Sequence, residues 1–495
     1  YGSIYFSGGN TTITNCVISN NDTIGIYCGA GSPTITNCTI SSNNGSGIYC
    51  LGSPMITDCN IIANSADYGG GIYCKNSSPI ITGCTITGNS AQYGGGIYGC
   101  NGPVTNCTIK NNSAESGGGG LAYCNGLITN CTITDNSASY YGGGFYECDS
   151  PVANCTISGN SAYSGGGGLA DCDGPITNCA ITGNSAGEGG GLAYGSSSVI
   201  NCTITGNSAY YGGGLSGGEY ITNCTIANNL AYEDGGGIGY TWGPVINCTI
   251  TGNSANRNGG GIGYFDGEIV NCTIADNLAG GSGGGVHCHS GGLITNCIFW
   301  GNDAMDGSQL YLEDYSNISV IFTNVQDGRD DVVIGPDSSL SWGPGNIDID
   351  PCFVDADAND YHLKSAGWSW DAIRQRWTYD DVTSRCIDAG NPGSPLGDEP
   401  LSVPDDPNNE WGQNLRIDMG AFGGTAEASI PSYDWALLSD VTNDGISDFS
   451  DIDTFSSLWL NTGEQLYADF NRDGIIDLFD FALLAQDWLE QTSWH

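Results

Sequence analysis

Two twelve-residue stretches near the end of the chain place oxygen side chains at the spacing that wraps a hard cation. The later one runs Asp469-Phe470-Asn471-Arg472-Asp473-Gly474-Ile475-Ile476-Asp477-Leu478-Phe479-Asp480. Asp469, Asn471, Asp473, Asp477 and Asp480 fall at positions 1, 3, 5, 9 and 12. Gly474 takes the sharp turn, and Ile475 offers its backbone carbonyl at position 7. One loop of this pattern can surround Ca²⁺ with oxygen ligands. The earlier copy offers Asp440, Thr442, Asp444, the carbonyl of Ile446, Asp448 and Asp451. Thr442 stands where Asn or Asp is usual, so this site is expected to be the weaker. Two calcium sites are therefore expected. Amphipathic helices, Phe449 to Leu460 and Leu478 to Leu489, should follow the loops.

Other chemistry is sparse. A polysaccharide lyase needs a Lys or Arg base beside Ca²⁺-binding carboxylates. The first 300 residues hold only Lys75, Lys110 and Arg257, with no evident acidic cluster beside them. An inverting hydrolase needs two carboxylates roughly 6.5–9.5 Å apart. Asp135, Asp149, Asp171, Asp173, Asp234, Asp266 and Asp276 read more simply as solvated turn residues, although Asp171 and Asp173 flank Cys172 and should stack near Asp149. His287 and His289 read as a surface pair. Tyr68, Tyr93, Tyr140, Tyr141, Tyr210 and Tyr211 at turn tips suit stacking on sugars, or more simply on one another. No catalytic residue is assigned, and the pattern leans against an enzyme.

The elements that must carry these residues are set by a repeat. Asn-Cys-Thr-Ile or a close variant returns every 21 to 25 residues, with thirteen cysteines from Cys16 to Cys297 in one column. A fixed period of this length signals a stacked array. Each apolar piece is short and rich in Ile, Val, Thr and Tyr, which are strand signals. The fold class expected is all-β: a parallel β-helix of about 13 coils over residues 1–302. Ile72 and Cys74 should point inward and Tyr73 outward, as should Cys131 and Ile133 point inward. Asn130 should sit at a left-handed bend, where stacked Asn side chains can bond along the axis. A second Asn series runs through Asn89, Asn112 and Asn136. Gly triplets such as Gly94-Gly95-Gly96 mark corners too tight for side chains. Leu121 and Tyr123 can face opposite sides only across a bulge. The first coil, beginning at Tyr1, reads as uncapped.

The cysteine columns fit a buried apolar stack, with disulfides between columns as the alternative. Cys352 and Cys386 stand apart as the better single disulfide candidate. Residues 303–423 lose the period and gain Trp342, Trp368, Trp370, Trp377 and Trp411, reading as irregular coils and a cap. Residues 424–433 read as a linker and 434–495 as a small calcium-loop domain. The net charge of −43, from 53 acidic and 10 basic residues, argues against nucleic-acid partners. No apolar run is long enough for membrane insertion. Asn10, Asn21, Asn44, Asn76, Asn111 and Asn317 are the exposed candidates for glycosylation.

The repeat segment resembles the right-handed parallel β-helix superfamily of secreted bacterial proteins. Its Gly-Asn-Ser-Ala and Gly-Gly-Gly-Ile-Tyr series is similar in architecture to the repeats of polymorphic outer-membrane adhesins. Residues 434 to 490 resemble a type I dockerin, with Asp at position 12 of each loop. That resemblance implies Ca²⁺-dependent folding and docking on a cohesin-like partner. The positions that family uses for partner choice are Phe449-Ser450 and Leu478-Phe479, more apolar than is common there. The expectation is an extracellular or cell-surface structural or adhesive protein. The expected partner is either a further copy, in a head-to-tail filament, or a cohesin-like surface protein, with glycans as further candidates. A polysaccharide-active or carbohydrate-binding β-helix is the alternative.

Overall fold

The computed structural model describes residues 3–400, 413–432 and 434–494. Tyr1, at the start of the first coil, and Trp411 lie outside the described residues. The chain forms two compact units. One comprises 1–243 with 252–264, the other 244–251 with 265–495.

Unit 1 is a stack of parallel coils. In a representative one, β1 (Ile72–Ser77) and β2 (Ile80–Thr82) belong to one sheet. β3 (Thr85–Thr87) and β4 (Ser90–Tyr93) lie in two others. Every rung pairs in parallel with its copy one coil on: Ile72 with Ile97, Ile81 with Val104, Ile86 with Ile109 and Ala91 with Ala114. Near-equal coil length keeps like residues in register, with the differences taken up at shifts such as Tyr73/Ser77, so a side chain that packs well in one coil packs again in the next. Ile72, Cys74, Cys131 and Ile133 are buried as expected, with Tyr73 outside. At the corner, Gly94 has φ 62°, and a Cβ on Gly95 would come within 2.3 Å of the Ser113 carbonyl. Both reasons demand glycine there.

The two asparagine series divide their labour differently from the expectation. The motif asparagines, among them Asn106, Asn130 and Asn154, are left-handed at φ 54–55°. The continuous, buried axial ladder belongs to the second series, although Asn37 of the motif series also donates to Asn15. Each buried Asn donates Nδ2–H to Oδ1 of the next Asn and to an Ile carbonyl of the preceding coil. Asn136 does so to Asn160 (3.0 Å) and Ile109 (2.9 Å). The bulge expected before Tyr123 is replaced by a left-handed residue: the strand ends at Ala122, and Tyr123 has φ 54°.

All 23 cysteines are free. In the motif column, thiols donate to the carbonyl two residues back, as from Cys131 to Thr129 (3.3 Å). The Cys352–Cys386 disulfide is not formed. Buried Cys386 accepts instead from Asn324 Nδ2 at 3.1 Å.

Unit 2 has parallel coils of its own, the last strand of which ends at Trp342. Val286–Thr295 pairs with Asn317–Ile321, which pairs with Ser339–Trp342. Two antiparallel hairpins follow, Phe353–Asp355 with Asp360–Leu363 and Ser369–Asp371 with Arg376–Thr378. The stretch read as a linker is packed. Ile430 exchanges both backbone bonds with Trp368, and Ala428 is buried. Helices α1 (Phe449–Ser457) and α2 (Leu478–Gln486) stop three residues short of the expectation. Leu460 and Leu489, with φ 65° and 67°, turn the chain away left-handed. Val441, Phe455, Phe470 and Leu484 share one core with Phe322, Cys386 and Met419.

His362 is buried against Phe422, ring centroids 3.5 Å apart. Its Nδ1 lies 2.6 Å from Asp360 and its Nε2 3.3 Å from Glu427. Burial alone lowers its pKa, but the two carboxylates outweigh it and the net shift is upward. That contribution is fully present below the unfolded value of about 6.5 and is lost as pH rises through the higher folded value. Melting curves between about pH 6 and pH 8.5 should therefore fall more steeply in the wild type than in His362→Gln. Parallel slopes would remove this role.

Candidate functional site

The C-terminal loops have matching geometry. Asp440 is buried and accepts from the N–H of Asp444 (3.2 Å) and Gly445 (2.8 Å). Asp451 is buried and accepts from Thr442 (3.0 Å) and Asp448 (2.8 Å). Thr442 Oγ1 is 3.4 Å from Asp440 and 3.3 Å from Asp451. In the second loop Asp469 takes the N–H of Asp473 and Gly474, and Asp480 those of Asn471 and Asp477. Asp444 and Asp473 are exposed, and each accepts the N–H of position 7, Ile446 and Ile475.

Positions 9 and 12 also do structural work. Asp448 with Asp451 and Asp477 with Asp480 form the capping boxes of α1 and α2. Among the described residues, no three His, Cys, Asp or Glu side chains surround one point as a metal set. The donor chemistry nonetheless fits a hard cation. Burial, with Asp451 and Asp444 nearby, pushes Asp440 up to about 6, and burial raises Asp451 and Asp480. Each loop thus holds two buried carboxylates, Asp440 with Asp451 and Asp469 with Asp480, anchored by its own backbone N–H groups.

A second arrangement lies on unit 1, and the sequence only hinted at it. Outward tyrosines contact one another in an unbroken line: Tyr5–Tyr27 (5.0 Å), Tyr27–Tyr49 (5.0 Å), Tyr49–Tyr73 (4.8 Å), Tyr73–Tyr98 (5.4 Å), Tyr98–Tyr123 (5.3 Å) and Tyr123–Tyr146 (5.6 Å). Of the tip tyrosines, Tyr68, Tyr93 and Tyr141 join this line, while Tyr210 meets Tyr232. Tyr140 stands exposed, and Tyr211 pairs in register with Glu188. An open groove of about 680 Å³ runs over the Ser-Ala sheet, and Tyr68 and Tyr93 directly follow its lining residues Asp67 and Gln92 in the chain. The Ser-Ala rungs of four coils line it, from Ser65 to Ser137, with Asp67, Gln92 and Glu115 also present.

The stripe ends in acids. From coil to coil, one column reads Gly99, Tyr123, Glu147, Asp171, Tyr194 and Gly217, all with positive φ. Glycine is the unstrained choice there, and four consecutive non-glycine residues mark the place. Tyr194 donates to Glu188 (2.6 Å), which also accepts from Ser216 (2.9 Å). Tyr123 donates to Glu147 (3.3 Å). The Tyr194 ring lies where a Cβ on Gly165 would come within 2.2 Å. Burial, then Glu147 and Asp173, raises the Asp171 carboxyl. Burial and Glu147 push Tyr123 up to about 12.

Several expectations change. Asp149 and Asp173 do stack, Asp173 N–H to Asp149 Oδ1 at 3.5 Å, but exposed and apart from the Asp171 column. Arg257 does have acidic neighbours, Glu233 at 3.0 Å and Asp234 at 4.0 Å, because the coil return brings residues 24 apart together. His287 is buried on Tyr311 and only His289 is exposed, bonded to Glu313, so they are not a surface pair. Asp276 accepts from Tyr361 at 3.0 Å. Lys75 and Asp135 remain exposed, while Lys110 and Asp266 are half-buried. Glu147 and Glu188 escaped the sequence reading because their coils look regular; for Glu147 the signal available was acid in a column that glycine opens and closes, while Glu188 lies in a neighbouring column between Gly165 and Tyr211.

Fold and coil chemistry together define a right-handed parallel β-helix. The family profile described as right handed beta helix region matches residues 1–127 and 121–277, more than half the chain, and the protein belongs to this family. Residues 294–390 match a profile described as disaggregatase related. No curated protein matches the chain. Among the described residues, no helix is long and apolar enough to cross a membrane.

Proposed function

We propose that this is a surface protein whose unit 1 face engages a polysaccharide. The observation that carries this is the tyrosine stripe beside a hydroxyl-lined groove, ending in Glu147, Asp171 and Glu188. Aromatic faces suit the apolar faces of sugar rings, and carboxylates and hydroxyls suit their hydroxyl groups. Coils about 4.8 Å apart repeat this chemistry at nearly the length of one sugar unit. A disaggregatase-related segment accords with a surface or polysaccharide-related role. Binding to a panel of neutral and acidic polysaccharides should fall about 10-fold or more in Tyr68→Ala/Tyr93→Ala, as loss of two stacking rings predicts. Equal binding by both proteins would reject this face.

A second reading is hydrolysis at the stripe's end. Glu147 and Asp171 sit one coil apart in the same column, a backbone spacing of about 4.8 Å against the roughly 5–5.5 Å between the carboxyl groups of a retaining pair. Asp171, whose carboxyl is raised by burial and by Glu147, is the candidate acid, and Glu147 the nucleophile. Release of reducing ends that persists in both Glu147→Gln and Asp171→Asn would exclude this.

The C-terminal loops are proposed to hold calcium in the manner of the dockerin they resemble. Asp440, Thr442, Asp444, Asp448, Asp451 and the Ile446 carbonyl would serve one ion, and Asp469, Asn471, Asp473, Asp477, Asp480 and the Ile475 carbonyl the other. Bound calcium would neutralise the buried carboxylates. Phe449, Leu478 and Phe479, exposed beside the loops, would meet a cohesin-like partner or a second copy. Calcium should raise the melting temperature by several degrees, and Asp473→Ala should remove much of that rise. An unchanged melt with chelator would count against it.

A further inference from the structure

Unit 2 holds another set of acids, distinct from the loops. Asp388, Glu399 and Asp418 are all buried, at 5% exposure or less. Backbone N–H groups anchor each of them. Asp388 Oδ1 accepts from Leu415 (2.7 Å) and Arg416 (2.9 Å). Glu399 Oε1 accepts from Asp418 (2.9 Å) and Gly424 (2.8 Å). Asp418 Oδ1 accepts from Asp388 (2.9 Å).

The outer oxygens are different. Asp388 Oδ2 and Glu399 Oε2 have no partner among the described residues, and neither do the amide oxygens of Asn414 and Asn271. These two asparagines belong to the same cluster. Asn414 Nδ2 donates to the carbonyl of Pro400, next to Glu399, and Asn414 precedes the Leu415 that Asp388 holds. Asn271 Nδ2 donates to Gly423, beside the Gly424 that Glu399 holds. The nearby guanidiniums are spent on carbonyls, Arg416 on Gly390, Ala389 and Asp440, and Arg472 on Pro392 and Leu415.

We propose that Asp388 Oδ2, Glu399 Oε2, Asn414 Oδ1 and Asn271 Oδ1 form a buried site for one hard divalent cation, with Ca²⁺ the first choice. Four buried acceptors with no donor leave an electrostatic demand that a cation satisfies, and all-oxygen sets select hard ions. The anchoring N–H groups of Arg416 and Asp418 are two residues apart, at most about 7 Å along the chain. One ion with Ca–O contacts of about 2.3–2.6 Å can bridge carboxylates held so closely. Two carboxylates balance the divalent charge, and two amides complete a set that three acids alone do not make. The ion would tie the 388, 399, 414 and 424 segments of the cap together. The competing occupant is a proton. Burial pushes Asp388 up to about 7 and Glu399 to about 8.

The test uses the full chain with both loops disabled by Asp444→Ala and Asp473→Ala, and calcium alone as probe. Equilibrium dialysis at neutral pH should find one ion per chain, and none once Glu399→Gln is added. No bound ion in the loop-disabled chain, or one that survives Glu399→Gln, overturns the proposal. Should Glu399→Gln fail to fold, Asn414→Asp decides. A third carboxylate is expected to tighten calcium binding at least severalfold. Unchanged or weaker binding again overturns the proposal.

Discussion

Asn136→Ala should destabilise the β-helix by about 4 kcal/mol, since each buried polar group left unpaired costs roughly 1–3 kcal/mol. Asn136 Oδ1 accepts the N–H and the Nδ2–H of Asn112, both at 3.0 Å. Its own Nδ2 serves Ile109 and Asn160. Truncation strands the Asn112 N–H and the Ile109 carbonyl in a place water does not reach, and leaves a cavity as well. In a stacked array the damage falls on the interface between neighbouring coils. Partial unfolding around coils 5 to 7 should then precede the main transition. Asn130→Gly is the control. Asn130 is left-handed at φ 55° and largely outside the core, so glycine should change stability by less than about 1 kcal/mol. Guanidinium denaturation with hydrogen exchange reads both variants. Equal midpoints for the two would mean that the ladder is an ornament of the repeat and not its tie.

Arg416→Met should cost about 3–5 kcal/mol in unit 2, the range for breaking a buried charged network. Arg416 is fully buried, at 1% exposure. Its Nε and Nη2 hold Gly390 at 2.9 and 2.7 Å, Nη2 also reaches Ala389 at 3.1 Å, and Nη1 holds Asp440 at 2.6 Å. Methionine matches much of the volume and serves none of these carbonyls. Lysine keeps the charge but not the planar fork, so Arg416→Lys should recover only part of the loss. Because one bond goes to the backbone of Asp440, the first loop should loosen together with the cap. Faster hydrogen exchange across 440–451 is the specific readout. A variant that melts within about 1 kcal/mol of the wild type would show that Met packing replaces the network, as it has in other buried ion clusters.

The repeat explains why so much of unit 1 was legible. Ile72, Cys74, Cys131 and Ile133 each meet copies of themselves about 24 residues away, so the local pattern already contains the tertiary contact. The asparagine ladder shows the limit of that reading. Both Asn columns were visible, but only burial distinguishes the column that bonds along the axis from the one that turns left-handed. The two acidic loops were legible as tight loops for a different reason: their anchoring bonds close within twelve residues, as from the Asp444 and Gly445 N–H groups to Asp440. The same spacing also makes capping boxes, so position 12 serves two purposes at once.

From the sequence alone came the parallel β-helix, its inward faces, its glycine corners and the two acidic loops, because each depends on contacts at a fixed short separation. Tertiary structure alone decided the rest. It united the cap and the C-terminal helices in one core, buried Arg416, and left acceptor oxygens of Asp388, Glu399, Asn414 and Asn271, from segments up to 143 residues apart, buried without a partner among the described residues. It also set Glu147 and Asp171 in a left-handed column at the end of the tyrosine stripe. No period reports such contacts, since each is made once, between segments whose meeting depends on the path of the whole chain.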